Sequence, residues 1–167
     1  AKQDGTRVER ADFGDKKEKV GVKSIPRRLL KTAKDKNRVI RECKLLQSIV
    51  HPHIIKYVTS GKTNSHYYIV TEWIEGGAMN KYCVDSLNGF VKMPVPMMLK
   101  ATKQLLEAVC YLHQNNVVHR DIKPSNIMMC PHRGIILIDL GFGTKPRDTD
   151  KRHQTWPGTP QFCAPEL

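Results

Sequence analysis

The apolar positions at the start of the chain change from alternating spacing to helical spacing. Residues 1–25 alternate loosely between polar and apolar positions on either side of the turn-forming stretch 12–15, which predicts a β-hairpin. From Arg38 to Ile49 the apolar residues recur at helical spacing, which predicts an amphipathic helix. The alternating positions are Val8, Ala11, Val20 and Val22, and the helical ones are Val39, Cys43, Leu46 and Ile49.

One apolar strand, one long helix and a second hairpin are predicted further along the chain. The stretch 67–77 predicts an apolar strand that runs into a glycine-rich link. Residues 94–96 open a helix, and residues 126–129 and 135–138 flank the turn 131–134 of a short hairpin. The apolar positions of the long helix are Met98, Leu99, Thr102, Leu105, Leu106, Val109 and Leu112.

Composition narrows the class of protein. A chain of 167 residues with 40% hydrophobic content can form one globular core. No apolar run approaches the ~20 residues that span a bilayer, and the first residues lack a signal-peptide pattern, so we expect no membrane partner. The five cysteines include no C-x-x-C pair, which disfavours a disulfide framework or a zinc site. We therefore expect an intracellular protein, either cytoplasmic or nuclear.

Positive charge is concentrated in the first quarter of the chain. The net charge is +12, and residues 1–44 contain 15 of the 28 Lys and Arg. Such a bias attracts acidic substrates, phosphorylated segments or RNA. A run of charge is more often a solvated face, so composition leaves the partner open.

The densest cluster of chemically useful side chains is the stretch 119–126. Asp121 is suited to accept or orient a hydroxyl proton, Lys123 to neutralise a transferred phosphate, and Asn126 to hold Mg²⁺ through its side-chain oxygen. The stretch reads His119-Arg120-Asp121-Ile122-Lys123-Pro124-Ser125-Asn126 and matches the pattern H-R-D-x-x-x-x-N. Further along, the D-F-G and A-P-E motifs are resembled by Asp139-Leu140-Gly141, with Leu140 in place of Phe, and by Ala164-Pro165-Glu166. The chain therefore resembles a eukaryotic-type Ser/Thr protein kinase catalytic domain.

The resemblance implies an α+β fold of the bilobal protein-kinase type. It places an antiparallel-sheet small lobe with a regulatory helix at residues 1–71, the hinge at 72–78 and a mainly helical, truncated large lobe at 79–167. It begins within the glycine-rich loop region and ends at the A-P-E motif, so we expect a partial domain without the first strand and the later helices. Thr6 stands where the last glycine of G-x-G-x-x-G-x-V is expected, so we expect this chain by itself to bind ATP weakly.

The resemblance also implies a site for ATP and Mg²⁺. Val20-Gly21-Val22-Lys23 is similar to the V-A-I-K strand, so Lys23 would bind the α- and β-phosphates and Glu42, nineteen residues later, would pair with it. The implied metal ligands are Asn126 and Asp139. Around adenine, the implied residues are Val8 as roof, Met128 as floor, Thr71 as gatekeeper, and Glu72 and Ile74 through their backbones.

The implied function is transfer of the γ-phosphoryl group of Mg-ATP to Ser or Thr hydroxyls of protein substrates. Lys123 and the stretch Gly158-Thr159-Pro160 resemble the Ser/Thr branch of the family. The resemblance also implies an upstream activating kinase that phosphorylates Thr155, and a phosphate there would bind Arg120 together with Arg38 or Arg41.

Two other functions remain open on sequence grounds. The damaged glycine-rich loop fits a kinase-like scaffold without turnover, although Lys23, Glu42, Asp121, Asn126 and Asp139 are all present. The basic residues 27–44 fit a module that binds an acidic or nucleic-acid partner. That stretch contains no Phe, Tyr or Trp, the residues on which bases stack in single-strand binders.

Overall fold

A four-stranded antiparallel sheet is formed by strands that lie between Arg7 and Glu72. The computed structural model describes residues 6–15, 17–83, 93–145 and 158–163. The strands are β1 (Arg7–Phe13), β2 (Glu18–Pro26), β3 (Tyr57–Lys62) and β4 (His66–Glu72), in the order β1-β2-β4-β3. Helix α1 (Ala33–Ser48) connects β2 to β3 after a short 3₁₀ turn at Arg27–Leu29. The sheet and α1 form the small lobe that the sequence predicts.

The predicted hairpin is confirmed, but its turn lies later than the sequence suggests. Asp12 and Phe13 are paired with Lys19 and Glu18 and belong to the strands. The turn is made instead at Gly14, whose φ of 69° suits a residue without a Cβ, and the backbone N–H of Lys17 donates to the Gly14 carbonyl at 3.1 Å. An ion pair between Asp12 and Lys19 forms across the strands and explains why the polar residue at 12 does not end β1.

Helix α1 begins at Ala33, five residues before the predicted start at Arg38. The cause is a capping box: the Thr32 hydroxyl accepts from the backbone N–H of Asp35 at 3.1 Å, and the Asp35 carboxylate accepts from the backbone N–H of Thr32 at 2.9 Å. The helix buries Val39, Glu42, Leu45 and Leu46. Glu42 is thus a carboxylate among apolar side chains on the buried face of the helix.

A second, three-stranded sheet has the order β5-β6-β7. Its strands are β5 (Gly77–Ala78), β6 (Ile127–Cys130) and β7 (Gly134–Leu137), and the accompanying helices are α2 (Asn80–Cys83) and α3 (Val95–Gln114). The predicted β6–β7 hairpin is confirmed, whereas β5 is an addition to the predicted link. At Gly76, with φ of 132°, a Cβ would lie 1.9 Å from the Met129 carbonyl oxygen, so only glycine allows this approach to β6.

The buried face of α3 differs from the predicted one. Leu112 is buried as expected, but Leu99 and Leu106 are 66% and 63% exposed, and Met98 and Thr102 are exposed too. The helix instead turns Ala101 and Ala108 inward and packs against β7. Small residues on this face allow close approach, and Gln104 supports it by accepting from the backbone N–H of Ile135 at 3.0 Å.

One hydrophobic cluster joins α1, α3 and the second sheet. Its members share low exposure and include Leu45, Leu46, Ile54, Ile69, Leu112, Val117, Ile135, Leu137 and Leu140. Leu140 is only 2% exposed, so it packs where the kinase motif has Phe. None of the described helices is long and apolar enough to cross a membrane. The predicted lobe boundaries at 71 and 78 stay predictions.

An ion pair ties the turn of the second hairpin to the end of β4. The Arg133 Nη1 atom lies 2.5 Å from Glu72 Oε2, and Arg133 Nη2 donates to the Pro52 carbonyl at 2.9 Å. The other oxygen of Glu72 accepts from the backbone N–H of Lys56 at 3.0 Å. Arg133 therefore links three segments that are distant in sequence.

We expect Arg133→Ala to lower the free energy of unfolding by about 1 kcal/mol, because the pair is partly exposed. Urea unfolding measures this change, and Arg133→Lys should restore only part of it because Lys lacks the planar fork. His132→Ala, at the neighbouring exposed position, serves as the control. An Arg133→Ala protein as stable as the control would show that the contact contributes nothing.

Candidate active site

A cleft of about 740 Å³ is lined by residues from β2, α1, the loop 119–126 and the segment after β7. Among the lining residues are Lys23, Glu42, Asp121, Lys123, Asn126 and Asp139. The fold thus brings every predicted catalytic and metal residue to one cavity. Their catalytic and metal-binding roles stay predictions.

Lys23 lies between two carboxylates on one side of the cleft. Its Nζ atom is 2.6 Å from Glu42 Oε1 and 3.3 Å from Asp139 Oδ1. β2 supplies the lysine, the buried face of α1 supplies Glu42, and the turn after β7 supplies Asp139. The contact forms only when these three elements are correctly positioned relative to one another.

The pKa of Lys23 reflects this environment. Burial lowers it, but attraction to Glu42 and Asp139 and the hydrogen bonds to both outweigh burial, so the pKa lies above its ordinary value of 10.5. Because the folded-state pKa is raised, the stability that the charged lysine contributes is complete below pH 10.5 and is lost as pH rises through the folded-state value. Lys23 is therefore a cation throughout the physiological range.

Asp121 is the centre of a second network on the facing loop. Its Oδ2 atom lies 2.9 Å from Lys123 Nζ and accepts from Asn126 Nδ2 at 2.8 Å, while its Oδ1 atom accepts from the Thr159 hydroxyl at 2.9 Å. Asn126 Nδ2 also donates to the Asp121 backbone carbonyl at 2.9 Å. Asp121 is 5% exposed, so three side chains fix the orientation of its carboxylate.

Thr159 is a site residue that the sequence analysis did not assign to the site. Its hydroxyl donates to Asp121 and accepts from Lys123 Nζ at 2.6 Å. The preceding residue, Gly158, has φ of 110° and packs against the backbone of Arg120. A Cβ on Gly158 would lie 2.6 Å from the Arg120 carbonyl oxygen, so glycine allows this approach. The signal was present in the sequence as Gly158-Thr159-Pro160.

His119 is a buried structural support for this loop. Its Nε2 atom lies 3.1 Å from the Ile138 carbonyl oxygen and so carries the hydrogen, while Nδ1 accepts from the backbone N–H of Asp121 at 3.2 Å. Burial lowers the pKa of His119 below its ordinary value of 6.5. A proton on Nδ1 would face a backbone donor, so the neutral ring fits the loop.

Two residues of the site have left-handed backbones without being glycine. Arg120 has φ of 63° and Asp139 has φ of 65°. Arg120 Nε donates to the Phe142 carbonyl at 2.8 Å, and the backbone N–H of Gly141 donates to Asp139 Oδ1 at 3.2 Å. Such strained conformations persist where surrounding contacts hold them, and they cluster at functional sites.

The oxygen atoms of Asn126 and Asp139 suit a Mg²⁺ ion. Because Asn126 Nδ2 faces Asp121, the side-chain oxygen is the atom that Asn126 can offer to a metal. Within residues 6–15, 17–83, 93–145 and 158–163 there is no cluster of three His, Cys, Asp or Glu that would cage a metal. Mg²⁺ commonly takes one or two carboxylates and completes its shell with phosphates and water, which fits this donor set.

The residues predicted around adenine lie on strands β1, β4 and β6 or just beyond β4. Val8 is opposite Lys23 and is 59% exposed, Thr71 is opposite Gly21, and Met128 is opposite Ala78. The Glu72 backbone N–H donates to the Lys56 carbonyl at 2.9 Å, while Ile74 is 7% exposed just beyond β4. None of these five residues is among those that line the cleft, and the adenine assignments stay predictions.

The regulatory prediction is only partly described. Thr155 and the Ala164-Pro165-Glu166 motif lie outside the described residues. Arg38, predicted to grip a phosphate, donates through Nε to the Gly141 carbonyl at 2.8 Å. Most cations of the basic residues 27–44 are exposed on the 3₁₀ turn and α1, and their acidic or nucleic-acid partner stays a prediction.

Comparison with known proteins shows the family to which the chain belongs. A family model described as "Protein kinase domain" matches residues 5–167. MAP3K epsilon protein kinase 1 of Arabidopsis thaliana is 35% identical over 133 residues, which is 80% of this chain and 10% of that protein. Serine/threonine-protein kinase PLK4 of Aedes aegypti is 28% identical over 148 residues, which is 89% of this chain and 19% of that protein.

A third relative, from Saccharomyces cerevisiae, is named meiosis-specific serine/threonine-protein kinase MEK1. It is 36% identical over 135 residues, which is 78% of this chain and 27% of that protein. The chain belongs to the protein kinase family. It spans between about a tenth and about a quarter of the length of these three relatives.

We expect His119 to make the fold sensitive to mild acid. Because its folded-state pKa is lowered, the unfolded chain binds more protons, so stability is retained above pH 6.5 and falls as the pH drops below it. The free energy of unfolding should therefore decrease between about pH 7.5 and about pH 5.5, and His119→Asn should reduce that decrease.

Chemical denaturation at the two pH values measures the difference. His113→Asn, at an exposed histidine at the end of α3, is the matched control and should keep the wild-type decrease. An equal decrease in wild type and His119→Asn would contradict the neutral, buried assignment.

Proposed function

We propose that the chain is the catalytic part of an ATP-dependent serine/threonine protein kinase. The observation that carries the proposal is the meeting of two side-chain networks at one cleft: Lys23 with Glu42 and Asp139, and Asp121 with Lys123 and Asn126. One network can bind phosphate and metal, and the other can position an acceptor hydroxyl. Phosphoryl transfer requires this combination, since its catalysis consists of positioning and charge stabilisation.

Lys23 would bind the α- and β-phosphates of the nucleotide. Glu42 holds the ammonium group at 2.6 Å and so aims it into the cleft. Asp139 and Asn126 would hold Mg²⁺ through their oxygen atoms. Bound Mg-ATP would supply the transferable phosphoryl group and offset its negative charge with the metal.

Asp121 would orient the hydroxyl of the protein substrate. Its carboxylate is held by Lys123, Asn126 and Thr159, so it is positioned before a substrate arrives. Lys123 lies beside it and would stabilise charge on the phosphoryl group during transfer. The acceptor would give its proton in the direction of the Asp121 oxygens.

Preference for Ser or Thr acceptors is supported by the contact among Lys123, Thr159 and Asp121. Lys123 and Thr159 are the residues that resemble the Ser/Thr branch, and they meet at 2.6 Å. The names of the two relatives from Aedes aegypti and Saccharomyces cerevisiae describe serine/threonine kinases. The protein substrate is therefore proposed to present a Ser or Thr hydroxyl.

A kinase-like scaffold without turnover is the less supported alternative. The residues that such a protein has no need to keep are not only present but in contact, with Lys23, Glu42 and Asp139 joined in one ion network. Control of activity through phosphorylation of Thr155 by an upstream kinase belongs to the same proposal, and Arg120 would bind the phosphate.

We expect Asp121→Asn and Asp139→Asn in the full-length protein to lower kcat by about 10²- to 10⁴-fold, for different reasons. Loss of Asp139 removes a metal ligand and should also weaken Mg²⁺-dependent ATP binding. Loss of Asp121 acts on the acceptor, so ATP affinity should be nearly unchanged. Steady-state kinetics with a protein substrate and calorimetry with Mg-ATP separate the two effects.

Asp12→Asn provides the matched control, because it makes the same chemical change in an exposed ion pair on β1. The control should keep wild-type kinetics. Turnover in Asp121→Asn or Asp139→Asn equal to that of the control would refute the catalytic assignment.

A further inference from the structure

Arg38 makes a contact that the predicted phosphate role does not require. Its guanidinium carbon lies 3.8 Å from the centroid of the Phe142 ring, and its Nε atom donates to the Gly141 carbonyl at 2.8 Å. A cation over an aromatic face at this distance is attracted by the ring, and the planar guanidinium can stack while its edge donates a hydrogen bond. One arginine of α1 thus holds two successive residues of the segment that begins at Asp139.

The same segment is also held by Arg120, in the loop 119–126. Arg120 Nε donates to the Phe142 carbonyl at 2.8 Å, so the carbonyls of Gly141 and Phe142 are bound by arginines from two different elements. Gly141 lies at the meeting point. A Cβ at this position would be 3.0 Å from Asp139 Oδ1, 3.4 Å from Glu42 Oε2 and 3.6 Å from Arg38 Nη2.

Arg38 and Glu42 are four residues apart on α1 and therefore lie one turn apart on the same face. A contact that fixes Arg38 against Phe142 also fixes the rotation and position of the helix at Glu42. The distance between Glu42 and Lys23 then follows from the position of the helix. The contact between Arg38 and Phe142 therefore helps to hold Glu42 close to Lys23.

We propose that Arg38 is a positioning residue that aligns α1 with the Asp139 segment by stacking on Phe142, without a phosphate. The proposal rests on the proposed kinase function only for its effect on activity. Its structural content is that the stack and the bond to Gly141 keep Glu42 against Lys23. Phosphorylation of Thr155 would then regulate through Arg120 and not through Arg38.

Substitutions at Phe142 separate this role from a phosphate-binding role. Phe142→Leu keeps apolar bulk but removes the aromatic face, and it leaves the charge of Arg38 in place for a phosphate. Phe142→Tyr keeps the face and should behave as wild type. Lys44→Ala removes an exposed cation from the same helix and is the matched control.

Amide hydrogen exchange of α1 in the full-length protein reports helix alignment independently of turnover. We expect exchange at residues 39–46 to be about tenfold faster in Arg38→Ala and in Phe142→Leu. The double variant should match Arg38→Ala and not show the hundredfold product, since Phe142→Leu removes no further contact once Arg38, which makes both the stack and the bond to Gly141, is gone. Phosphatase treatment or Thr155→Ala should leave these values unchanged.

Kinetics provide the readout that a purely structural role would not change. In Arg38→Ala and Phe142→Leu, kcat/KM for ATP should fall several-fold while KM for the protein substrate stays the same, because the defect lies at Lys23 and Glu42. Phe142→Tyr should keep the wild-type kinetic values, because it retains the aromatic face.

Three results would overturn the proposal: wild-type exchange in Phe142→Leu, a product of the two single effects in the double variant, or loss of the Arg38→Ala effect after phosphatase treatment. The last result would assign Arg38 to a phosphate. If the wild-type protein transfers no phosphoryl group at all, the kinase function fails, and the exchange measurements still decide the role of Arg38.

Discussion

The cleft depends on one physical constraint, which is that a lysine removed from water must be paired. Lys23 is drawn between Glu42 and Asp139, and each of these carboxylates comes from a different element. An unpaired buried ammonium would cost several kcal/mol, so the attraction stabilises the fold only when β2, α1 and the segment after β7 are all in place. The charge that serves the site is thus also a requirement for correct packing.

The segment after β7 transmits that requirement across the cleft. Asp139 contacts Lys23 from a left-handed backbone position, Leu140 is buried in the core, and the next two carbonyls are held by Arg38 and Arg120. The loop 119–126 and α1 therefore both hold this segment, through Arg120 at the Phe142 carbonyl and through Arg38 at the Gly141 carbonyl and the Phe142 ring. Displacing α1 would disturb Asp139, the proposed metal ligand, as well as Glu42, which links helix position to the proposed chemistry of the site.

The sequence motifs predicted the residues of the site better than they predicted the strands, helix faces and contacts that hold the site in place. Because each lies in a motif that resembles the protein kinase family, five residues were expected to meet in one cleft: Lys23, Glu42, Asp121, Asn126 and Asp139. Three other features were not predictable from local pattern. Strand β3 has weak alternation, α3 buries two alanines while two of its leucines are exposed, and the Arg133 contact with Glu72 joins positions far apart in sequence. Each is decided by tertiary packing, which overrides local preference.

The central claim is that Lys23 and Glu42 act as a unit in holding the nucleotide, and a double-mutant cycle on ATP affinity tests it most directly. Calorimetry with Mg-ATP on the full-length protein compares wild type, Lys23→Met, Glu42→Gln and the double variant. We predict that both single variants bind more weakly and that the double variant is no weaker than Lys23→Met, since Glu42 acts through Lys23. Losses that add within ~0.5 kcal/mol, or unchanged affinity in Glu42→Gln, would contradict the account.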